Sequence, residues 1–131
     1  MAWGDWIDVG VRGELLWENT NTSAQFAGQD ISPTFSSAMG LLDYKFIMIV
    51  GVLHTSAPDK LVYFCTKVSK NDISTGMPMM GALGYGGYER LITFRTNSKI
   101  YITDAARDNS VDDNYAIPTK IIGFRNDITD I

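Results

Sequence analysis

The stretch from Leu41 to His54 reads LLDYKFIMIVGVLH, and its middle, Phe46 to Val50, is apolar at every position. Its length suits one extended strand, or two strands that break at Gly51. A strand without polar positions is typical of a sheet that is covered on both faces. Residues Leu61 to Val68 have a similar composition, and the turn-forming pair Pro58-Asp59 lies between the two stretches. We therefore predict that both stretches are central strands.

Shorter runs of β-branched and aromatic residues flank this centre. The clearest run predicts a hairpin over Glu89 to Asp104, because Ile92 and Phe94 alternate with their neighbours and Asn97-Ser98 can form the turn. Proline cannot donate to a sheet ladder, so Pro118 favours an edge or first position for its strand. The other predicted strands are Trp6 to Val11, Glu14 to Trp17, Gln29 to Ser32 and Ile117 to Arg125. Met77 to Tyr85, with Pro78 and two glycines, is predicted to be an edge strand or an irregular segment. Polar composition predicts loops at Glu18 to Gln25, Ser69 to Thr75 and Asp104 to Asn114.

Short strands separated by frequent turns predict an all-β fold with little helix. About eight or nine strands at this spacing suit two packed antiparallel sheets, a β-sandwich or jelly-roll-like arrangement. The 131 residues are enough for one domain that spans the whole chain, 1–131. Residues 1–12 are predicted to form either the first strand or an N-terminal extension.

Charge and composition argue against several classes of protein. The net charge is −4, and the Lys and Arg residues are scattered singly, so we expect no nucleic-acid partner. The longest apolar run, Phe46 to Leu53, is far shorter than the roughly 20 residues of a membrane-spanning helix, and no signal peptide is predicted. Cys65 is the only cysteine, and its apolar neighbours predict a buried, unreactive thiol.

Few side chains suit catalysis. One histidine and one cysteine are too few for a zinc site, and His54 stands at a predicted strand end with no nucleophile motif near any serine. Glu14, Glu18 and Glu89 are the only glutamates, and we expect them in solvated positions. Two carboxylates suffice to cleave a glycosidic bond, so a glycan-cleaving enzyme stays open as a further hypothesis. We predict no catalytic residue and no cofactor.

The acidic stretch from Asp104 to Asn114 is a candidate for calcium. Asp104, Asp108 and Asp112 supply the hard oxygen ligands that calcium prefers. The stretch lacks the ligand spacing, central glycine and terminal glutamate of an EF-hand loop. A solvated loop without metal is the interpretation that we favour.

Aromatic residues near predicted strand ends and loops are candidates for ligand contact. Flat rings beside amide and carboxylate side chains are suited to holding sugars or a neighbouring subunit. The same rings can instead close the open end of a sandwich. The candidate ligand-binding residues are Trp17, Asn19, Asn21, Tyr85 and Tyr88, and Trp3 and Trp6 share the setting.

Two segments resemble a known family. Leu16 to Ile31 reads LWENTNTSAQFAGQDI and is similar to an opening motif, L-W-x-N-x-N-x-x-x-x-F-A-[AG]-Q-x-I. Asp113 to Phe124 reads DNYAIPTKIIGF and is similar to a closing motif, N-N-Y-x-I-P-x-K-I-x-G. Both motifs are found in tail-associated structural domains of bacteriophages and prophages of gut Firmicutes. Thr20 and Thr22 stand where relatives often carry prolines.

The resemblance implies a small β-rich virion module, commonly at a tail tip or fibre end, and carries over no catalytic residue. On this basis we predict a non-enzymatic structural protein that attaches the virion to the host surface, with saccharide as its ligand. Its partners would be other virion proteins, copies of itself in a homotrimer, and a host glycan. It would assemble in the host cytoplasm and act outside the cell. The alternative is a capsid decoration or tail-assembly module that binds only other virion proteins.

Overall fold

The computed structural model describes residues 13–36, 38–70, 73 and 81–125. Within these ranges the chain forms ten strands and a short 3-10 helix at Leu41–Asp43. The strands are β1 (Gly13–Glu18), β2 (Gln29–Ile31), β3 (Tyr44–His54), β4 (Ala57–Thr66), β5 (Gly81–Tyr85), β6 (Tyr88–Thr96), β7 (Lys99–Ile102), β8 (Ala106–Arg107), β9 (Ser110–Val111) and β10 (Tyr115–Arg125).

The strands form two antiparallel sheets. One has four strands in the order β1-β10-β3-β4, and the other has six, in the order β2-β7-β6-β8-β9 with β5 also paired to β6. The core lies between the sheets and contains fully buried side chains from both, such as Ile49 and Ile121 from the first and Ile92 and Ile100 from the second. The predicted all-β sandwich with little helix is confirmed.

The apolar stretch after Leu41 behaves in part as predicted. β3 is a central strand that continues without a break past Gly51, between β10 and β4. β4, in contrast, lies at the edge of its sheet, so the prediction of a second central strand was wrong. Leu61 and Tyr63 on β4 are 49% and 60% exposed, because the outer face of this sheet is not covered by another layer of the described chain. Cys65 is exposed for the same reason, and its predicted burial was also wrong.

The connection between β3 and β4 differs from the predicted turn. The turn residues are Thr55 and Ser56, whereas Pro58 and Asp59 belong to β4. The register shifts in this part of the ladder, where His54 pairs with Ala57. An edge strand tolerates proline here because the missing N–H can face solvent.

Pro118 lies inside a central strand, contrary to its predicted edge or first position. β10 pairs with both β1 and β3, and Pro118 is opposite Gly51. The register shifts between Pro118 and Lys120, and such a bulge lets a ladder accommodate a residue without an N–H. The Thr119 hydroxyl donates to the Val50 carbonyl at 2.9 Å and links the two strands at the irregularity.

The predicted hairpin is confirmed as β6 and β7, which are joined at Asn97-Ser98. Alternation places Ile92 and Phe94 in the core, at 0% and 2% exposure. The predicted loop Asp104 to Asn114 contains the short hairpin of β8 and β9, whose turn includes Asp108 at φ 53°.

Several predictions concern residues outside the described ranges. These are the strand Trp6 to Val11, the rings of Trp3 and Trp6, and the part of Met77 to Tyr85 that precedes Gly81. In the predicted loop Ser69 to Thr75, the described residues Lys70 and Ile73 have helical backbone. No helix in the described part of the chain is long and apolar enough to cross a membrane.

Candidate functional site

Trp17 and Asn19 are held by contacts within the fold. Trp17, at the end of β1, is half-buried and packs edge-on against Phe26, with ring centroids 6.0 Å apart. The Asn19 side-chain amide donates to the Pro118 carbonyl at 3.0 Å, and its carbonyl oxygen accepts from the Asn21 backbone N–H at 2.9 Å. The Asn19 side chain therefore supplies a hydrogen-bond donor to the Pro118 carbonyl, next to the irregular pairing of β10 with β3. The Asn21 side chain is exposed.

The two tyrosines predicted as surface rings differ in exposure. They flank the turn between β5 and β6, where Gly86 and Gly87 take positive φ angles of 65° and 84°. Tyr85 is 48% exposed, but Tyr88 is only 6% exposed, so its interpretation as a surface ring was wrong. Tyr88 stacks on Tyr115 at 4.3 Å between centroids and an interplanar angle of 12°.

The predicted ligand residues do not form one patch. Trp17 pairs with Ile121 of β10, whereas Tyr88 stacks on Tyr115 at the start of the same strand. Six residues of strand separate these positions by about 20 Å at the usual rise. The structure thus brings Trp17, Asn19 and Asn21 together, and Tyr85 with Tyr88, as two separate groups.

Two of the three candidate calcium ligands accept hydrogen bonds within the fold. Asp104 accepts the Gly28 backbone N–H at 2.7 Å, and Asp112 accepts from both the backbone and side chain of Asn114. Asp108 lies in the turn between β8 and β9. Within the described ranges, no group of three or more His, Cys, Asp or Glu side chains is placed to hold a metal ion.

Arg90 is a buried charge that the sequence analysis did not single out. Its side chain is fully buried, and its guanidinium donates to the carbonyls of Tyr115, Thr103 and Asp113 at 3.0, 3.1 and 3.1 Å. It also lies 3.7 Å from the Asp113 carboxylate. The alternation of β6 could have predicted this burial, because Arg90 and Ile92 lie two residues apart and therefore face the same, inner side of the sheet. Arg90 therefore fixes the segment from 103 to 115 against β6.

Burial and neighbouring groups shift the pKa values of Arg90 and of the two carboxylates near it. Burial lowers the pKa of Arg90 to about 10, although Asp113 and Asp104 favour the charged form, so the guanidinium remains protonated at neutral pH. Burial raises the pKa of Asp113 above its usual value. The pKa of Asp104 is lowered, chiefly by the hydrogen bond from the Gly28 backbone. This network holds the loop that carries β8 and β9.

Glu14 also differs from its predicted solvated position. Its carboxylate is half-buried, accepts the Tyr44 hydroxyl at 2.7 Å and the Ser36 hydroxyl at 3.3 Å, and pairs with Arg125. Burial alone would raise the pKa of Glu14, but the hydrogen bonds from Tyr44 and Arg125 outweigh it and lower that pKa below 4.5. The network joins β1, β3 and β10 at one end of the four-stranded sheet.

The lowered pKa of Glu14 predicts a contribution to stability that disappears in acid. A carboxylate with a lower pKa in the folded state stabilises fully above its unfolded pKa, and this contribution is lost as pH falls through the folded value. We expect Glu14→Gln to lower the free energy of unfolding by about 1–2 kcal/mol at pH 7, and by progressively less below pH 4.5. Urea unfolding across pH measures the difference.

Glu18, at the exposed end of the same strand, provides the control. Glu18→Gln should change the free energy of unfolding by less than about 0.5 kcal/mol at either pH. An equal loss for Glu14→Gln at pH 7 and in acid would contradict a role for the Glu14 charge.

The outer face of the six-stranded sheet carries an open groove of about 610 Å³. Its lining combines carboxylates, a guanidinium, a flat ring and aliphatic groups. The lining residues are Gly87, Glu89, Leu91, Tyr101, Thr103, Asp104, Ala106, Arg107, Asp108 and Val111. None of the ligand-binding residues predicted from the sequence lies in this lining. The groove is assembled from four strands and their turns, so no single short stretch of sequence predicts it.

Two arginines keep rings and charges of the groove in place. The Arg107 guanidinium lies 4.5 Å from the centroid of Tyr88 and donates to the Gly86 carbonyl at 3.1 Å. The Arg95 guanidinium lies 4.4 Å from the centroid of Tyr101 and pairs with Asp30 at 3.0 Å. These contacts preorganise a surface that presents both hydrogen-bond donors and acceptors.

Comparison with known protein families, curated proteins and solved structures finds no match to this chain.

Proposed function

We propose that the chain is a non-enzymatic structural module of a bacteriophage virion, at a tail tip or fibre end, that attaches to a host-surface saccharide through the groove of the six-stranded sheet. It would assemble in the host cytoplasm with other virion proteins and with copies of itself, as the homotrimer that the resemblance implies. The observation that carries the ligand class is the lining of that groove.

The groove chemistry suits a saccharide. Sugar hydroxyls can donate to the Glu89 and Asp104 carboxylates and accept from Arg107, which has five N–H donors and uses one of them on Gly86. Leu91 and the ring of Tyr101 offer apolar surface to the C–H faces of a sugar. An open groove binds weakly, but linked copies raise avidity by factors of about 10² to 10⁴.

The arrangement of the two motifs supports the resemblance to virion domains. β1, in the opening motif, pairs with β10 in the closing motif. Asn19 binds the Pro118 carbonyl, and the Phe26 backbone N–H donates to the Asp113 carbonyl at 3.0 Å. The motif residues therefore form one structural unit, which explains why the motifs would mark a fold and not a ligand site.

A purely architectural module, on a capsid or in a tail, is the second candidate function. The observation that favours it is the apolar surface of the four-stranded sheet, where Leu15, Leu61 and Tyr63 are about half exposed or more. Exposed apolar surface of this kind usually marks contact with protein. Immunogold labelling of the intact virion distinguishes a head location from a tail-tip location.

Substitution of Glu89 tests the saccharide site. We expect multivalent wild-type protein to bind immobilised cell-wall polysaccharide fractions of Gram-positive gut bacteria. Glu89→Ala should weaken this binding at least about tenfold, since a hydrogen bond to a charged group contributes about 1.5–3 kcal/mol. Glu18→Ala makes the same change of charge on the other sheet and should leave binding unchanged.

Three outcomes contradict the proposal. Wild-type protein that binds no fraction at any valency would remove saccharide attachment. Loss of binding in Trp17→Ala, with normal binding in Glu89→Ala, would move the site to the end of β1. Release of reducing ends from the polysaccharide would show an enzyme.

A further inference from the structure

The carboxylate of Glu89 lies between two small neighbours on the outer face of the six-stranded sheet. β6 pairs with β5 on one side and with β8 on the other, so Glu89 is opposite both Gly84 and Ala106. Directly paired residues project to the same side of a sheet, and neither of these two residues has a side chain large enough to cover a glutamate. A Cβ at Gly84 would lie 3.3 Å from the Cγ of Glu89, so a larger residue there would crowd it. Glu89 is therefore left open to the groove that it lines.

The groove carries more negative than positive charge. Its described lining residues include three carboxylates, on Glu89, Asp104 and Asp108, and one cation, Arg107. The Arg107 guanidinium already donates to the Gly86 carbonyl at 3.1 Å. In the part of the chain that the structure describes, the side chains of Glu89 and Asp108 have no hydrogen-bonding or ionic partner. Two unpaired carboxylates thus line the groove.

Apolar surface lies beside these carboxylates. Leu91 follows Glu89 by two residues on β6, so the two side chains project to the same side, about 7 Å apart at the usual rise. The Leu91 backbone N–H donates to the Thr103 hydroxyl at 2.8 Å, and the Thr103 backbone N–H donates to the Leu91 carbonyl at 3.0 Å. A sugar ring that rests on Leu91 can therefore direct one substituent to Glu89. The groove volume of about 610 Å³ is within the roughly 300–1,000 Å³ of small-ligand sites.

We propose that the groove selects a saccharide with free amino groups, an unacetylated amino sugar, and that Glu89 and Asp108 determine this selectivity. An ammonium group is a cation with donors only, and a carboxylate is an anion with acceptors only, so the two are complementary. Charge-assisted hydrogen bonds of this kind are roughly twice as strong as neutral ones. A phosphate or carboxylate on the saccharide would instead meet two unpaired negative charges. The inference rests on the proposed saccharide site and names the class of sugar that it takes.

Oligosaccharides that differ only in acetylation test this selectivity. We expect the immobilised protein to bind chitosan oligosaccharides, whose amines are free, at least about tenfold more tightly than chitin oligosaccharides of the same length, whose amines are acetylated. Oligogalacturonate, with a carboxylate on each sugar, should bind more weakly than either. Raising the salt from about 0.1 M to about 1 M should remove most of the advantage of chitosan, because the Debye length falls from about 10 Å to about 3 Å.

Variants that remove charge without changing size assign the effect to the groove. Glu89→Gln should reduce the preference for chitosan over chitin at least about fivefold and change chitin binding little. Asp108→Asn should reduce the preference in the same direction. Glu18→Gln is the matched control, because it lowers the net charge of −4 by the same amount at an exposed position on the other sheet, and it should leave the preference unchanged. All three positions are exposed, so each variant should keep the wild-type circular dichroism.

Several outcomes would overturn the inference. Equal binding of chitosan and chitin, a preference for oligogalacturonate, or binding to cell-wall fractions but not to chitosan would remove the amine selectivity and leave the proposed saccharide attachment standing. An equal loss of preference in Glu18→Gln would assign the effect to the overall charge of the protein. Oligolysine that competes as well as chitosan would show a site for any cation. Wild-type protein that binds neither the oligosaccharides nor the cell-wall fractions would contradict the saccharide site itself, and the inference with it.

Discussion

Arg90→Ala is expected to lower the free energy of unfolding by about 3–5 kcal/mol, the usual cost of removing one partner from a buried ion pair. The substitution removes the guanidinium donors from the carbonyls of Thr103, Asp113 and Tyr115, of which Asp113 keeps the Phe26 N–H. It also leaves the Asp113 carboxylate without its cation. Domains of this size have about 5–15 kcal/mol of stability in total, so the loss is a large fraction. Urea unfolding followed by tryptophan fluorescence and circular dichroism measures it.

The geometry also predicts how other replacements at this position behave. Arg90→Lys keeps the charge but cannot direct a planar fork at three carbonyls, so we expect it to recover only part of the loss. Arg95→Ala is the control, because Arg95 pairs with Asp30 at 3.0 Å while both side chains are about half exposed. Exposed pairs contribute about 0–1 kcal/mol. An Arg90→Ala variant no less stable than Arg95→Ala would show that Arg90 does not organise the loop.

The local sequence pattern was sufficient to predict which residues are buried where the inner and outer faces of a strand differ in polarity. In β6 and β7 the alternation placed Ile92, Phe94, Ile100 and Ile102 in the core, and Asn97-Ser98 defined the turn. It was insufficient for β4, because a run of apolar residues has the same appearance whether its second face meets another sheet or water. The position of β4 at the edge depends on strand order, and strand order is not a local property.

The candidate sites show the same limit more strongly. Asn19 was predicted to contact a sugar because of its residue type and setting, but its side-chain amide donates to the carbonyl of Pro118, 99 residues away in the sequence. Tyr88 was predicted to be a surface ring because it lies near a turn, but the ring of Tyr115 stacks on it and covers it. The groove depends also on the pairing of β6 with β8, where Glu89 lies opposite Ala106, and no spacing in the sequence specifies this pairing.

Gly123 is the second position where a single substitution has a large expected effect. A Cβ at Gly123 would lie 2.6 Å from two ring carbons of Tyr44, a side chain that is fully buried. The ring cannot move aside freely, because its hydroxyl donates to Glu14 at 2.7 Å. This contact gives a physical reason for the glycine that ends the closing motif.

We therefore expect Gly123→Ala to lower the free energy of unfolding by about 1–3 kcal/mol, the usual range for overpacking a core. Gly13→Ala is the control, since its Cβ would meet only side-chain atoms of Ile122 and Phe124, at 3.1 Å, at the exposed first residue of the edge strand β1. It should change stability by less than about 0.5 kcal/mol.

A double-mutant cycle assigns the cost to the tethered ring. Tyr44→Phe removes the hydroxyl that holds the ring to Glu14, so the ring can shift away from a new Cβ. Gly123→Ala should then cost less in the Tyr44→Phe background than in the wild type, by about 0.5 kcal/mol or more. Equal costs in the two backgrounds would show that packing around the ring, and not its bond to Glu14, determines why glycine is needed at position 123.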